Sequence, residues 1–324
     1  MQIKTIFELS MTLDTEKFYE IYEPDYDDYD YPENDEWVDR SLESKGLVVL
    51  YRDSQYKKKV KLLVDTSVYD TADMSAFIKK LDKRVTEYFD SRYHLKDFIV
   101  SGIHLSVNLD VGGAEQVMDY LRVIQRIGKV KGFSPVSYDW FDEENSFCLR
   151  GNTNAEEFYV YDLEQTILDN ANEEQISRDQ LKEMLKAAKG ILRTEVRLTK
   201  LKSIRCYTEE ENPGRQMAEL YKQRQKIYMD TITKIIPYGD FYKKEDAVEI
   251  LRREVKDNVM RRKMLRMVAL IPDKKSLHLA QKEMQCRTMD EVMAMFAKIN
   301  LSPVTISKRH DVKHLKNIYT YLVI

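Results

Sequence analysis

The sequence predicts an α+β protein, in which a first half of alternating strands and helices is followed by a second half made mostly of helices. Alternating apolar and polar residues, as in FIVSGIHLSVNLD (98–110), indicate strands, because successive strand side chains point to opposite faces. Apolar residues at helical spacing, as in AEQVMDYLRVIQRIG (114–128), indicate helices. The character changes near 205–213, so we expect an α+β domain over 1–205 and a mainly helical domain over 206–324.

The individual elements follow from the same two periodicities. In the first half we expect strands at 3–11, 60–66, 98–110, 158–162 and 191–200, and helices at 72–92, 114–128 and 174–188. In the second half we expect helices at 214–235, 243–270, 274–284 and 289–299, then a short strand at 303–307 and a last helix. The tract 23–39 has nine acidic residues, no basic residue and two prolines, so we expect an acidic loop there.

Composition argues against a membrane-spanning protein and against a secreted, disulfide-rich protein. With 324 residues, of which 43% are hydrophobic and 33% charged, the chain can bury a core. No run approaches the ~18 apolar residues that a membrane span requires, and the first residues lack the apolar core of a signal peptide. Three cysteines at 148, 206 and 286 form neither a disulfide framework nor a zinc pattern, so we expect a cytoplasmic protein with reduced thiols.

The net charge of −3 conceals a basic body, because removing the nine acids of the tract 23–39 leaves +6. Part of the excess lies in NVMRRKMLRM (258–267). Local basic clusters favour a polyanionic partner, and we expect a DNA-binding surface whose members contact backbone phosphates: Arg261, Arg262, Lys263 and Arg266. The helices around them could form a helix-turn-helix-like module. A merely solvated helix face is the alternative, and the acidic tract could instead serve a host-interaction protein as a DNA mimic.

Three predicted strands carry, on one face, polar residues of the kinds that take part in catalysis. SVNLD ends in Asp110, FYVYD carries Tyr161, and ILRTEVRLT places Arg193, Glu195 and Arg197 together. If these strands are neighbours, two carboxylates and a phenol converge, which suits Mg²⁺ or Mn²⁺ and a phosphate ligand. Ordinary solvent-facing sheet residues are the alternative interpretation, because alternation alone is typical of any half-buried strand.

The segments HLSVNLD (104–110), RGNTNAEEFYVYDLEQ (150–165) and GILRTEVRLTK (190–200) resemble rolling-circle replication initiation proteins of Gram-positive plasmids, phages and integrative elements. The resemblance covers roughly residues 95–205, and LRTEVRL is its most specific part. It implies an antiparallel sheet with flanking helices of the replication-initiator nuclease type, followed by a helical C-terminal region.

The resemblance also implies a chemistry. Tyr161 would attack a phosphodiester at an origin, which gives a 5′-phosphotyrosine and a free 3′-hydroxyl. Asp110 and Glu195 would hold Mg²⁺ or Mn²⁺, while Arg193 and Arg197 would assist at the phosphate. The implied partners are origin DNA, single-stranded or cruciform, a host helicase and a second copy of the chain, with no membrane.

An alternative function is a non-catalytic DNA-binding relative that acts as a regulator or loader. Asn108 stands where the family usually has arginine, and Asp162, Leu163 and Glu164 follow the tyrosine where the family has basic residues. Both differences remove positive charge from the expected phosphate site, which favours this alternative. Tyr159 lies on the same strand face as Tyr161 and is the second candidate nucleophile.

Overall fold

The computed structural model describes residues 2–22, 34–54, 56–138, 142, 144–171 and 177–322. Within them, nine strands form one sheet and two further strands form a small one: β1 Lys4–Leu13, β2 Asn34–Asp39, β3 Leu47–Ser54, β4 Lys58–Asp65, β5 Ile99–Asp110, β6 Phe133–Pro135, β7 Ser146–Gly151, β8 Glu156–Asp162, β9 Ile191–Leu198, β10 Phe241–Tyr242 and β11 His314–Leu315. The order in the large sheet is β2-β3-β4-β1-β5-β9-β8-β7-β6. The fold class is therefore α+β, as the sequence predicts.

The helices are α1 Thr15–Tyr19, α2 Met74–Tyr88, α3 Ala114–Gln125, α4 Leu163–Asn170, α5 Arg178–Ala188, α6 Leu201–Ile204, α7 Pro213–Ile235, α8 Lys244–Glu254, α9 Asn258–Lys274, α10 Leu277–Met284, α11 Met289–Lys298 and α12 Tyr319–Leu322. They concentrate towards the C-terminus, as expected. In the described part of the chain, none of them is both long enough and apolar enough to cross a membrane.

Three expected elements differ from the structure. The single helix expected over 243–270 is two helices, because the Asp257 side chain accepts hydrogen bonds from the Val259 and Met260 amides and begins α9 anew. The strand expected over 303–307 is reduced to an isolated bridge at Ile306. The last six residues of the expected acidic loop form β2, which pairs antiparallel with β3. The remainder of that loop, 23–33, lies outside the described residues. Its suggested role as a DNA mimic therefore stays a prediction.

The chain divides into two compact units, and each is discontinuous in sequence. The first unit contains residues 1–2, 107–196 and 229–324, and the second contains 3–106 and 197–228. This division differs from the expected boundary near residue 205, because chain segments from both halves of the sequence contribute to each unit.

The core of the first unit lies where α3 packs against β7 and β8. Alternate residues of the strands are fully buried on this side, including Leu149, Phe158 and Val160. The helix contributes Leu121 and Ile124, also fully buried and spaced so that they share one helix face. The alternation that predicted the strands therefore identifies the core side of β8.

The core of the second unit is built on antiparallel pairs of β3 with β4, β4 with β1 and β1 with β5. One face of α2 buries Phe77, Leu81 and Val85, which recur every four residues. Where β3 ends and β4 begins, Asp53 is buried and pairs with Lys58. It also accepts a hydrogen bond of 2.6 Å from the Tyr19 hydroxyl. A buried carboxylate is tolerated there because it has both a cation and a donor.

A glycine fixes the start of β9 against the end of β5 in the first unit. Gly190 has φ +73°, in the left-handed region, and its carbonyl accepts a 3.1 Å hydrogen bond from the Val111 amide. A Cβ added at Gly190 would lie 2.9 Å from the Gly113 nitrogen and 3.1 Å from the Gly112 carbonyl carbon. The two turns approach so closely that only glycine fits at this position.

We predict that Gly190→Ala destabilises the protein by about 2–4 kcal/mol, from left-handed strain and from overpacking against Gly112 and Gly113. Gly132→Ala is the matched control, because Gly132 has φ +88° with nothing within 4 Å of an added Cβ. It should lose only the strain contribution of about 1 kcal/mol. Urea denaturation of the two variants measures both losses, and equal losses would contradict the close packing of the turns.

Candidate functional site

Tyr161 and Glu195 lie on neighbouring strands, β8 and β9, and their side chains meet. The Tyr161 hydroxyl donates a 3.2 Å hydrogen bond to Glu195 Oε2. Their exposed fractions are only 6% and 7%. Two of the three residues that the sequence nominates for one site are therefore in contact, in surroundings largely shielded from water.

Asp110 lies at the end of β5, and Arg193 lies near the start of the neighbouring strand β9. Asp110 ends β5 and is exposed, and its Oδ1 accepts a 3.1 Å hydrogen bond from the Gly112 amide. Arg193 on β9 donates from Nε to Asn108 Oδ1 on β5 at 2.7 Å. Asn108 thus holds an arginine that comes from the neighbouring strand.

The face of β8 that carries the tyrosines is interior. Tyr159 and Tyr161 belong to a buried cluster with Cys148, Leu163 and Ala188. Leu163 comes from α4 and Ala188 from α5, so these two helices provide apolar residues to the tyrosine face. The alternative interpretation of these tyrosines as solvent-facing sheet residues is therefore wrong, because both faces of β8 are covered.

Asp162, directly after Tyr161, is the N-cap residue of α4. Its Oδ1 accepts a 3.2 Å hydrogen bond from the Gln165 amide, and its own amide donates to the Asn145 carbonyl at 3.0 Å. Aspartate suits this position because the first amides of a helix lack partners and carry a partial positive charge. The acid that directly follows Tyr161 thus has a structural use.

A second tyrosine–carboxylate group on the same face was not predicted from the sequence. Glu157, with an exposed fraction of 9%, accepts hydrogen bonds from the Tyr159 hydroxyl at 2.5 Å and from the Tyr138 hydroxyl at 2.9 Å. Arg150 Nε donates to Glu157 at 2.9 Å, and Arg150 Nη2 donates to the Tyr138 hydroxyl at 2.6 Å. Tyr159, the second candidate nucleophile, is thus engaged with Glu157.

These hydrogen bonds control the ionisation of Glu157. Burial on its own raises the pKa of this carboxyl, but the donors Tyr159, Tyr138 and Arg150 together outweigh burial and hold the pKa below its ordinary value of 4.5. The carboxylate form is therefore favoured inside the unit. Arg150 faces Glu157 directly across the β7–β8 hairpin, so the only sequence signal for the pair was the spacing of two opposite charges around the turn GNTN.

The residues expected to bind DNA separate into two groups. Arg261 donates to the Val255 carbonyl at 2.9 Å and to the Asn258 side chain, so it secures the chain at the start of α9. Arg262, Lys263 and Arg266 line a cleft of about 420 Å³.

Arg197, which was expected near the phosphate together with Arg193, is half-buried and belongs to the second unit.

The oxygen ligands available for a metal ion are few. Within the described residues there is no group of three or more His, Cys, Asp or Glu side chains that could hold one. Asp110 and Glu195 nevertheless have the right chemistry for Mg²⁺ or Mn²⁺, since Mg²⁺ is commonly bound by one or two carboxylates together with waters and substrate phosphates. The pair has the right kind of donor atoms, but the contacts of Val111 with Gly190 and of Arg193 with Asn108 place Asp110 beside the start of β9, ~13 Å along the strand from Glu195.

We predict that Glu157→Gln lowers stability at neutral pH and that the loss shrinks as the pH falls. Because the folded-state pKa lies below 4.5, the carboxylate contributes stability that is fully present above pH 4.5 and lost as the pH drops through the folded value. Denaturation of the wild type and the variant over a pH series measures this difference. Glu183→Gln, at an exposed position on α5, is the control. A loss that does not depend on pH would contradict the ionised network.

Known proteins offer no further guide to this site. The chain matches no protein-family model, no curated protein and no solved structure. The resemblance to replication initiators therefore depends on the three short segments, and the contacts of Tyr161, Glu195 and Arg193 are the observations on which a function can be argued.

Proposed function

We propose that the chain is a DNA nicking and rejoining enzyme of the rolling-circle initiator type, with Tyr161 as its nucleophile. The observation that carries the proposal is the hydrogen bond from the Tyr161 hydroxyl to Glu195. A phenol with an ordinary pKa near 10 is a weak nucleophile, so it needs an acceptor for its proton at the moment of attack. Glu195 is an acceptor already aligned on that hydroxyl.

The reaction is a transfer of one phosphodiester linkage. The Tyr161 oxygen attacks the phosphorus, the bond from phosphorus to the 3′-oxygen breaks, and the phenol proton passes to the Glu195 carboxylate. The 3′-oxygen leaves and takes up a proton from solvent. The 5′-phosphate remains on Tyr161, and attack by a 3′-hydroxyl reverses the sequence and rejoins the strand.

Positive charge for the phosphate comes from Arg193. Its guanidinium is fixed by Asn108, so it is oriented before substrate arrives, and oriented charge stabilises a developing anion more effectively than mobile charge. The resemblance nominates Asp110 and Glu195 to hold Mg²⁺ or Mn²⁺; one carboxylate with water molecules would be enough to hold the ion, which would withdraw charge from the phosphate oxygens. The resemblance also associates Arg197 with this chemistry.

A second candidate function is supported by the burial of Tyr161. With 6% of its surface exposed and α4 and α5 contributing to the cluster around it, the hydroxyl is enclosed, and a DNA strand could reach it only after this cover opens. A non-catalytic relative would keep Tyr161 and Glu195 only as a buried hydrogen-bonded pair. Such a protein would bind DNA as a regulator or loader and form no covalent product.

We predict that the protein, incubated with Mg²⁺ or Mn²⁺ and single-stranded oligonucleotides from its own replicon, forms a covalent adduct on the peptide 156–170. Tyr161→Phe removes only the hydroxyl, so it should abolish the adduct. Tyr159→Phe is the matched control, since it removes a hydroxyl two residues away that contacts a different carboxylate. Denaturing gels detect the adduct and mass spectrometry locates it.

The comparison separates the two candidate functions. Adduct formation by Tyr161→Phe at the wild-type rate would disprove the assignment of the nucleophile. No adduct in the wild type with any oligonucleotide, together with retained binding of the same oligonucleotides, would favour the non-catalytic protein. Tyr161→Phe loses the hydrogen bond to Glu195, whereas Tyr159→Phe loses those to Glu157 and to the Tyr138 hydroxyl, so the control should be destabilised at least as much, at ~1–2 kcal/mol per bond. Stability therefore does not explain a difference between them.

A further inference from the structure

The cleft beside α9 receives positive charge from two elements. Arg262, Lys263 and Arg266 come from α9, and Arg287 comes from the turn between α10 and α11. Arg262, Arg266 and Arg287 are exposed. The described side chains that line the cleft include these four cations and no carboxylate; Glu291 of α11 acts electrostatically on Cys286 from outside this lining.

The cleft is too large for a phosphate group alone. Its volume of about 420 Å³ lies within the ~300–1,000 Å³ typical of sites that enclose small organic molecules. Met284 and Gln285 also line it, so an apolar, polarisable contact and an amide stand beside the cations. This combination suits a ligand that has an anionic part and a flat organic part, such as a nucleotide.

The shape of the cleft discriminates between forms of DNA. The phosphates of a duplex lie on the convex outside of a rod, and its bases are stacked inside, so a duplex can touch the rim of a concavity but cannot fill it. Single strands can turn a base outward and place it against a side chain. A cleft with cations at its walls and Met284 in its lining therefore favours a single strand.

We propose that this cleft binds one nucleotide of single-stranded DNA, with the phosphate against Arg262, Arg266 and Arg287 and the base beside Met284. The proposal depends on the proposed function only in that it takes DNA as the partner. It assigns Arg287, which the sequence does not single out, to the DNA-binding surface, and it limits Arg261 to a structural role.

The cleft contains its own chemical reporter. Lys263 Nζ donates a 3.0 Å hydrogen bond to Thr288 Oγ1, which lies 3.4 Å from Cys286 Sγ. The hydrogen bond from Thr288 lowers the pKa of the Cys286 thiol, and nearby Lys263 acts in the same direction. More of this thiol is therefore ionised near neutral pH, and the thiolate reacts with alkylating reagents. A ligand in the cleft would shield it.

The test measures the rate at which iodoacetamide alkylates Cys286, by peptide mass spectrometry, with Cys206 as an exposed internal control. The probes are an oligothymidylate, a duplex of equal length and thymidine monophosphate, all at one nucleotide concentration. We expect the oligothymidylate to slow alkylation of Cys286 and to leave Cys206 unaffected. Equal protection by the duplex, or by the free nucleotide, would overturn the proposal, as would no protection at all.

Variants provide a second measurement. Arg287→Ala should weaken oligothymidylate binding about tenfold or more, because a charge-assisted hydrogen bond contributes ~1.5–3 kcal/mol. The matched control is Arg253→Ala, on an exposed arginine of α8 that pairs with Glu254 and does not line the cleft. Equal effects of the two substitutions would show that only general charge is involved, and would overturn the proposal.

Failure of this inference is distinguishable from failure of the proposed enzyme. A covalent adduct on Tyr161 without protection of Cys286 would remove the cleft proposal and leave the enzyme. Protection of Cys286 without any adduct would support the cleft proposal and remove the enzyme.

Discussion

The tyrosine face of β8 can be interior because the carboxylates that its tyrosines contact, Glu157 on β8 and Glu195 on β9, each have a hydrogen-bond donor. Removing a carboxylate from water costs several kcal/mol unless it is paired. Glu157 obtains two phenols and a guanidinium, and Glu195 obtains the Tyr161 hydroxyl. These bonds allow α4 and α5 to contribute apolar residues to a strand whose sequence is half polar. Tyrosine suits this task because its ring fills the cluster while its hydroxyl satisfies the acid.

The second unit also contains a buried carboxylate, and the same types of residue stabilise it. There, buried Asp53 accepts from the Tyr19 hydroxyl and pairs with Lys58, as Glu157 accepts from Tyr159 and pairs with Arg150. The Tyr161–Glu195 contact is different in that the nearby arginine, Arg193, is held by Asn108. A tyrosine beside a carboxylate is therefore a recurrent structural device in this chain, and the orientation of Arg193 is what distinguishes the candidate site.

Sequence periodicity predicts the fold class and the sharing of faces, because both depend on local geometry. Alternation places Tyr161 and Glu195 on outward faces of their strands, and they do meet. Burial of that face could not be predicted, since it depends on how α4 and α5 pack in three dimensions. The Arg150–Glu157 pair required the hairpin register, which short polar turns do not reveal. The break before α9 was readable in Asp257, an N-cap residue in front of an apolar run.

The interleaving of the two units has a consequence for how the chain can be made and divided. Residues 197–228 complete the second unit but are synthesised after most of the first unit's strands, and the first unit requires residues 229–324. On the ribosome, each unit must therefore wait, partly assembled, for a segment that emerges later. No single cut yields either unit as one continuous fragment, so a truncation near residue 205 removes necessary parts of both.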